Sequence, residues 1–207
     1  MYEKLLSVIS PESRTRCERF RLREDSLRTL YGELMLRHVL CRHFSFKNDK
    51  IEILKGDNGK PYLKDFPIYF NISHAGNFVA CAFSEHEVGI DVEQIRNIDL
   101  AIAKRYFCKS ECEDLNAKSI DQRLNYFFSL WTLKESYMKW LGDGMSIPLD
   151  SFCFKVDDYG IEVADEHRSI KPFFKQFSID GYILSLCSTF DNFHDKVETL
   201  IVEEMIF

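Results

Sequence analysis

Three acidic residues have the types and spacing of a cation site. Asp91 and Glu93 are two apart in Val88-Gly89-Ile90-Asp91-Val92-Glu93, whose strict alternation predicts a strand. Side chains two apart on a strand share a face, so the two carboxylates lie together, with Gly89 leaving room for a ligand on the same side. Like charges that close repel, and a divalent cation offsets the repulsion; hard oxygen ligands suit Mg²⁺. The plainer alternative is the wet side of an edge strand. Glu135 falls on a predicted helix with Phe128, Trp131 and Met138 around it at helical spacing. A carboxylate buried unpaired among them costs on the order of several kcal/mol, so it is expected to meet a cation. Its plainer alternative is a surface pair with Lys139 at i, i+4, worth about 0.3–0.5 kcal/mol. With helix beside strand, Asp91, Glu93 and Glu135 make a three-carboxylate site. Such a site suits phosphoryl transfer, where metal and cations offset charge on phosphate oxygens.

Phosphates also need donors. Arg14, Arg16 and Arg28 lie close together in the sequence, and guanidinium groups grip phosphate bidentately. Lys60 sits in a Gly-Lys-Pro turn, and Ser73-His74 end a predicted strand just before Ala-Gly. Each has an ordinary reading as well: solvated helix charges, a turn lysine, a turn histidine. Spacing alone does not bring these groups together.

The elements that must position them fall into two halves. Leu27, Leu30, Tyr31, Leu34 and His38 predict an amphipathic helix over 26–43. A strand over 51–54, a turn over 56–61 and strands over 67–72, 78–83 and 88–93 follow. The second half opens with helices over 100–107 and 109–117. The longest helix is predicted over 122–141, ended by Gly142, Gly144 and Pro148. Strands are predicted over 152–156, 160–163, 173–179, 182–187 and 197–202. Each half thus has one long helix and several strands, with no residue-level repeat and no flexible linker between them.

Composition sets the limits. The 207 residues are 45% hydrophobic and include 18 Phe and 9 Tyr, enough for a buried core. The net charge of −6 leaves no basic footprint for nucleic acid, but net charge does not exclude a local basic pocket for a phosphorylated ligand. No apolar run approaches the ~20 residues of a membrane span. The apolar stretch from Leu5 to Ile9 is short and broken by Pro11, so no signal peptide is expected. The seven cysteines form no CxxC pair, which fits reduced thiols in a cytoplasmic protein. Cys108 and Cys112 share an i, i+4 spacing but have no further metal ligands nearby in sequence.

Taken in order, Phe70-Asn71-Ile72-Ser73-His74, then Val88-Gly89-Ile90-Asp91-Val92-Glu93, then Trp131-Thr132-Leu133-Lys134-Glu135-Ser136-Tyr137-Met138-Lys139 resemble the Sfp-type 4′-phosphopantetheinyl transferases. The family pattern is close to (V/I)G(I/V)D(I/V)E followed by W(S/T)xKE(S/A)xxK. Gly59-Lys60-Pro61, the segment from Cys17 to Leu30 and Gly144-Met145-Ser146-Ile147-Pro148-Leu149 add to the match. The resemblance runs from about Ile9 to about Ser188. It implies an α+β fold of two similar α/β subdomains, 1–103 and 104–207, related by a pseudo-twofold axis with the active site in the cleft between them.

By the same resemblance, Asp91, Glu93 and Glu135 would hold Mg²⁺ on the pyrophosphate of coenzyme A, the co-substrate. Lys139 would contact the phosphate region, with Lys134 a weaker candidate. Lys60, Ser73, His74 and Arg28 would bind the nucleotide and phosphates, and Arg14 and Arg16 would stand near the 3′-phosphate. Glu135, or a metal-bound water held by Glu93, would take the proton of the acceptor serine. That serine would belong to an apo acyl- or peptidyl-carrier protein docked on the segment 107–125, serving nonribosomal peptide, polyketide or fatty-acid synthesis. The implied enzyme is a cytoplasmic monomer of the holo-[acyl-carrier-protein] synthase type. Members of the family carry a further stretch, including a first strand, ahead of the position of Tyr2, so sheet completeness is the point of departure. Two other classes stand beside this one: a Mg²⁺-dependent phosphotransferase with another acceptor, which would keep the acidic site without depending on coenzyme A, and a binding module without turnover, favoured if Asp91 and Glu135 lie far apart.

Overall fold

Two long helices carry the antiparallel strands. In this computed structural model, which describes residues 2–144 and 147–205, α3 (Arg23–His43) and α6 (Ile120–Leu141) are the helices predicted over 26–43 and 122–141. Ahead of them lie α1 (Tyr2–Leu6) and α2 (Pro11–Arg19). Pro11, read from the sequence as a break, instead starts α2, because a first-turn N–H has no intrahelical partner to lose. Ser10 caps the helix: its side chain accepts from the Ser13 N–H. Its own N–H and hydroxyl donate to Glu33 of α3, which pairs with Arg37 at 2.7 Å in the interior.

The strands are β1 (Ile53–Lys55), β2 (Pro61–Leu63), β3 (Tyr69–Ala75), β4 (Phe78–Ser84) and β5 (Val88–Gln94). After α4 (Ala103–Tyr106), α5 (Lys109–Ala117) and α6 come β6 (Cys153–Asp157), β7 (Gly160–Ala164), β8 (Phe173–Ile179) and β9 (Tyr182–Ser188). All pairing is antiparallel: β1–β2, β3–β4, β6–β7 and a three-stranded sheet in the order β5-β9-β8. Helices and antiparallel strands in separate stretches make this the α+β class. α3 packs on β3 and β4, and α6 packs on β5 and β9. β5, early in the chain, pairs along its whole length with β9, so Asp91 lies opposite Ser185.

Four expectations need correction. The strand predicted over 197–202 is irregular chain leading to a 3₁₀ turn, Val202–Met205. Of its apolar residues, Leu200 and Val202 pack against the cluster of Leu5, Leu6, Leu30 and Met205, while Val197 and Ile201 are exposed. The helix predicted over 100–107 begins as a 3₁₀ turn, where the Asp99 side chain caps the Ala101 N–H, before α4 takes over. Cys108 and Cys153 are joined in a disulfide, Cα to Cα 5.9 Å, because the start of α5 packs on β6; Cys17, Cys41, Cys81, Cys112 and Cys187 are free. The space beside Gly89 is not open to a ligand. A Cβ there would overlap the Ser136 carbonyl oxygen and the Trp140 amide nitrogen, so this glycine lets the backbone of α6 sit on β5. In the Gly144-to-Leu149 match, Met145 and Ser146 lie outside the described residues.

Candidate active site

β5 is an edge strand of its hydrogen-bonded sheet, yet its edge is not wet. Alternate N–H groups of β5 point at β3, which offers side chains where a neighbouring strand would offer carbonyls. Asn71 Oδ1 accepts from the Ile90 N–H at 3.0 Å, and Ser73 Oγ accepts from the Val92 N–H at 3.3 Å. Two polar side chains with a period of two thus replace a ladder for the Ile90 and Val92 N–H groups. They also fix β5, and with it Asp91 and Glu93, against the end of β3.

Asp91 is 5% exposed, which excludes the wet-strand reading for it. Its Oδ1 receives Lys139 Nζ at 2.7 Å and the Ser73 hydroxyl at 2.8 Å. Lys139 reaches across from α6 and also donates to Ser73 Oγ at 2.9 Å and Ile90 O at 3.1 Å. The surface pair of Glu135 with Lys139 is therefore not formed; Lys139 serves Asp91. Among the described residues, Asp91 Oδ2 is buried and has no hydrogen-bond partner. That is an acceptor with free capacity at a place where desolvation is already costly.

Glu93 and Glu135 are half-buried around this corner. Burial, then the charge of Asp91, pushes both above the ordinary carboxylate value; Glu135 adds to the rise at Glu93, while Lys139 opposes it at both. The three carboxylates feel one another, as like charges do. Among the described residues, no three His, Cys, Asp or Glu side chains are gathered into a metal-ligand cluster; the ammonium of Lys139 is the counter-charge. What fits a hard cation is the donor chemistry, oxygen throughout, and the unpaired oxygen of Asp91.

Beside the corner opens a cleft of about 460 Å³, lined by Glu24, Arg28, His74, Gly76, Glu93 and Arg96 among others. Arg28 donates to Gly76 O at 3.2 Å and pairs with Asp25 at 2.9 Å and Glu24 at 3.4 Å. Gly76, at φ +51°, makes the β3–β4 turn, and a Cβ there would run into the Tyr182 hydroxyl. His74 stands at the rim. Surrounding protein first, then the Arg28 and Lys139 charges, lower its pKa and favour the neutral ring.

Of the predicted phosphate donors, the structure brings Arg28 and His74 to the cleft and sets Ser73 beneath it as a tie. Lys60 pairs with Glu87 at 2.6 Å and donates to Trp140 O at 3.3 Å, at the end of α6. On α2, Arg14 donates to Leu6 O at 3.0 Å and Arg16 covers the Phe20 ring. Arg14, Arg16 and Lys60 do not line this cleft. Lys134 is no phosphate ligand. It is fully buried, pairs with Glu111 at 2.9 Å and donates to Leu149 O and Phe152 O at 2.8 Å. Sequence reasoning passed over Asn71, Gln94 and Arg96; the polar period of two in Asn71 and Ser73 was the signal available.

Two family profiles match the chain, and they meet between residues 86 and 87. A family profile described as 4′-phosphopantetheinyl transferase, N-terminal, matches residues 1–86, and one for the 4′-phosphopantetheinyl transferase superfamily matches residues 87–187. The 4′-phosphopantetheinyl transferase Sfp of Bacillus subtilis is 39% identical, over 99% of this chain and 92% of its own. The chain belongs to the 4′-phosphopantetheinyl transferase superfamily. A second transferase of that description, gsp of Aneurinibacillus migulanus, is 35% identical over 99% of this chain and 87% of its own. Among solved structures, the holo-[acyl-carrier-protein] synthase of Thermotoga maritima aligns over 49% of this chain and 61% of its own, with 20% identity and a TM-score of 0.43. As a phosphopantetheinyl transferase the chain is an enzyme of the transferase class, and no helix among the described residues is long and apolar enough to cross a membrane.

Proposed function

We propose that this transferase moves the 4′-phosphopantetheine of coenzyme A onto a serine hydroxyl of an apo acyl- or peptidyl-carrier protein and releases adenosine 3′,5′-bisphosphate. The observation that carries this reading is the buried Asp91. One of its oxygens is tied to Lys139 and Ser73, the other has no partner among the described residues, Glu93 and Glu135 sit within reach of its charge, and Glu93 lines the adjoining cleft with Arg28 and Arg96.

In this reading Asp91 Oδ2, Glu93 and Glu135 hold Mg²⁺. Mg²⁺ bound there offsets charge on the pyrophosphate oxygens and lowers the cost of their build-up during transfer. Lys139 adds its ammonium charge to the phosphate region. Arg28 and His74 orient the nucleotide from the cleft wall. Glu135, or a water held by Glu93, takes the serine proton. The carrier docks on 107–125, which covers α5 and the start of α6, where Ile120 is 85% exposed. The halves 1–103 and 104–207, the monomeric state and a cytoplasmic location belong to the same proposal.

Incubation with apo-carrier protein, coenzyme A and Mg²⁺, followed by intact mass of the carrier, tests it. A gain of one phosphopantetheine that disappears with a chelator is the expected result. No gain on peptidyl, polyketide and fatty-acid carriers alike would sink the reading.

A further inference from the structure

A polar row runs across the three-stranded sheet beneath α6. Asp91 of β5 and Gln176 of β8 both lie opposite Ser185 of β9, so the three stand abreast. All three face the helix: Asp91 meets Lys139, Ser185 meets Thr132 and Gln176 meets Ser129. To either side of Ser185 along β9, Ile183 and Cys187 belong to the apolar core. Ser185 and Thr132 are fully buried, a placement that costs free energy unless their oxygens are met. Thr132 donates to the Phe128 carbonyl of its own helix at 2.9 Å, which leaves its oxygen to accept from Ser185 at 2.6 Å. Gln176 Nε2 donates to Ser185 Oγ at 2.8 Å and to Ser129 O at 2.9 Å, and Gln176 Oε1 accepts from the Ser129 hydroxyl at 2.7 Å. One carboxamide therefore clamps α6 and β9 together.

Apolar contacts hold a helix on a sheet without fixing where it lies, because burial has no direction. Hydrogen bonds have one. The acidic corner draws on both elements: Asp91 stands beside Ser185 on the sheet, and Glu135 follows Thr132 by three residues on the helix. A helix advances about 1.5 Å per residue, and Mg²⁺ takes its oxygens at about 2.0–2.1 Å in a near-ideal octahedron. A slide of α6 by a single residue would carry Glu135 out of a shared coordination sphere. We infer that Gln176 is a positioning residue of the cation site: through Ser129, Ser185 and Thr132 it fixes α6 over the sheet, and with it the reach of Glu135 toward Asp91 and Glu93. Gln176 itself does not line the cleft. The inference rests on the metal assignment of the proposed function.

The test measures Mn²⁺ bound by the full chain, read by electron paramagnetic resonance, with coenzyme A present and carrier absent so that nothing turns over. Gln176→Met keeps the length of the side chain and removes its hydrogen bonds. Thr132→Val, Ser185→Ala and Gln176→Met together remove the whole set of partners, which strands no buried donor and should leave the melting temperature close to that of the parent. Each should weaken Mn²⁺ binding by about tenfold, the lower end for loss of a group that orients metal ligands. The Mg²⁺ concentration at half-maximal transfer should rise by the same factor. Leu63→Ala, in the separate apolar cluster of Leu36, Leu40 and Phe70, is the control for lost stability and should bind Mn²⁺ as the parent does. Unchanged Mn²⁺ affinity in Gln176→Met overturns the assignment, and so does an equal loss in Leu63→Ala. If Gln176→Met does not fold, the triple variant decides in its place. A parent chain that binds Mn²⁺ but transfers nothing to any carrier defeats the proposed function and leaves the clamp standing. A parent that binds no Mn²⁺ defeats both.

Discussion

Helix α6 presents two lysine–carboxylate pairs, and they have opposite surroundings. Lys134 and Glu111 are both completely buried, and every capacity is used. Glu111 accepts from the Cys108 N–H at 2.9 Å and the Phe154 N–H at 2.7 Å as well as from Lys134. Lys134 adds two carbonyls, and its ammonium lies 4.6 Å from the Phe152 ring centre. This network knots α5, α6 and β6 together. Lys139 and Asp91 form the second pair, five residues further along the helix. Here one carboxylate oxygen is spent and the other is buried with nothing to accept. A buried ion pair is tolerable when its remaining lone pairs and protons are met. The saturated pair is therefore architecture. The unsaturated one, at a cleft and beside two more carboxylates, has capacity left for a ligand.

Breaking each pair should separate the two roles. The largest effect is expected at the open one. Asp91→Ala or Glu135→Ala should lower transfer by about 10²–10³ or more, the scale seen when a group aimed at developing charge is removed. The urea midpoint should move little, since Lys139, partly exposed, can turn to solvent. Wild-type-like transfer by either variant in excess Mg²⁺, read by carrier mass, would count against the metal assignment. At the closed pair the order reverses. Lys134→Ala leaves the Glu111 carboxylate buried without its cation and should cost about 3–5 kcal/mol in urea denaturation. If it costs less than the loss of a surface pair, the network is not what holds α5. A smaller effect is expected at the strand tie. Asn71→Ala leaves the buried Ile90 N–H without its acceptor, a loss of about 1–3 kcal/mol. Because the tie also sets Asp91, transfer should fall with it; unchanged transfer would show that Ser73 alone suffices.

The contrast also explains what could be read from the residues in advance. The period of β5 and the length of α6 were legible because both are written in local spacing: alternation in one, i, i+3 and i+4 apolar contacts in the other. That put Asp91 and Glu93 on one face and Glu135 on a helix that packs there. What the spacing cannot carry is the partner. Lys134 and Glu135 are adjacent and chemically similar in length, yet one points into the core of β6 and the other toward β5. Only the docking of Glu111, far back in the chain, decides this. Gly89 shows the same limit. Its missing side chain was visible, but whether a ligand or a helix would fill the gap depends on where α6 lies. Arg14, Arg16 and Lys60 read as phosphate donors by type; Arg14 and Arg16 are met close by, by the Leu6 carbonyl and the Phe20 ring, and Lys60 across the fold by Glu87 and the Trp140 carbonyl. The disulfide joins residues brought together by the packing of α5 on β6, which no CxxC spacing announces.

The smallest predicted effect is a slope with pH. Glu93 and Glu135 have pKa values raised above their ordinary 4.5 in the folded chain, by burial first and by Asp91 second. Through that window the folded chain holds more protons than the unfolded one, so stability falls as pH rises. The contribution is full below the ordinary value and is lost as pH passes the raised ones. Glu135→Gln removes one of the two groups and should flatten the slope of melting temperature against pH from about 4.5 upward. Mg²⁺ should flatten it too, by favouring the charged carboxylates and binding the folded chain. The saturated pair gives the control. Lys134→Met combined with Glu111→Gln removes both charges of that pair; it lowers stability, but it leaves Glu93 and Glu135 in place and should keep the acid-side slope of the parent. If Glu135→Gln left the slope intact while the double variant removed it, the pH response would come from the closed network. The distinction between the two pairs would then fail at its weakest point.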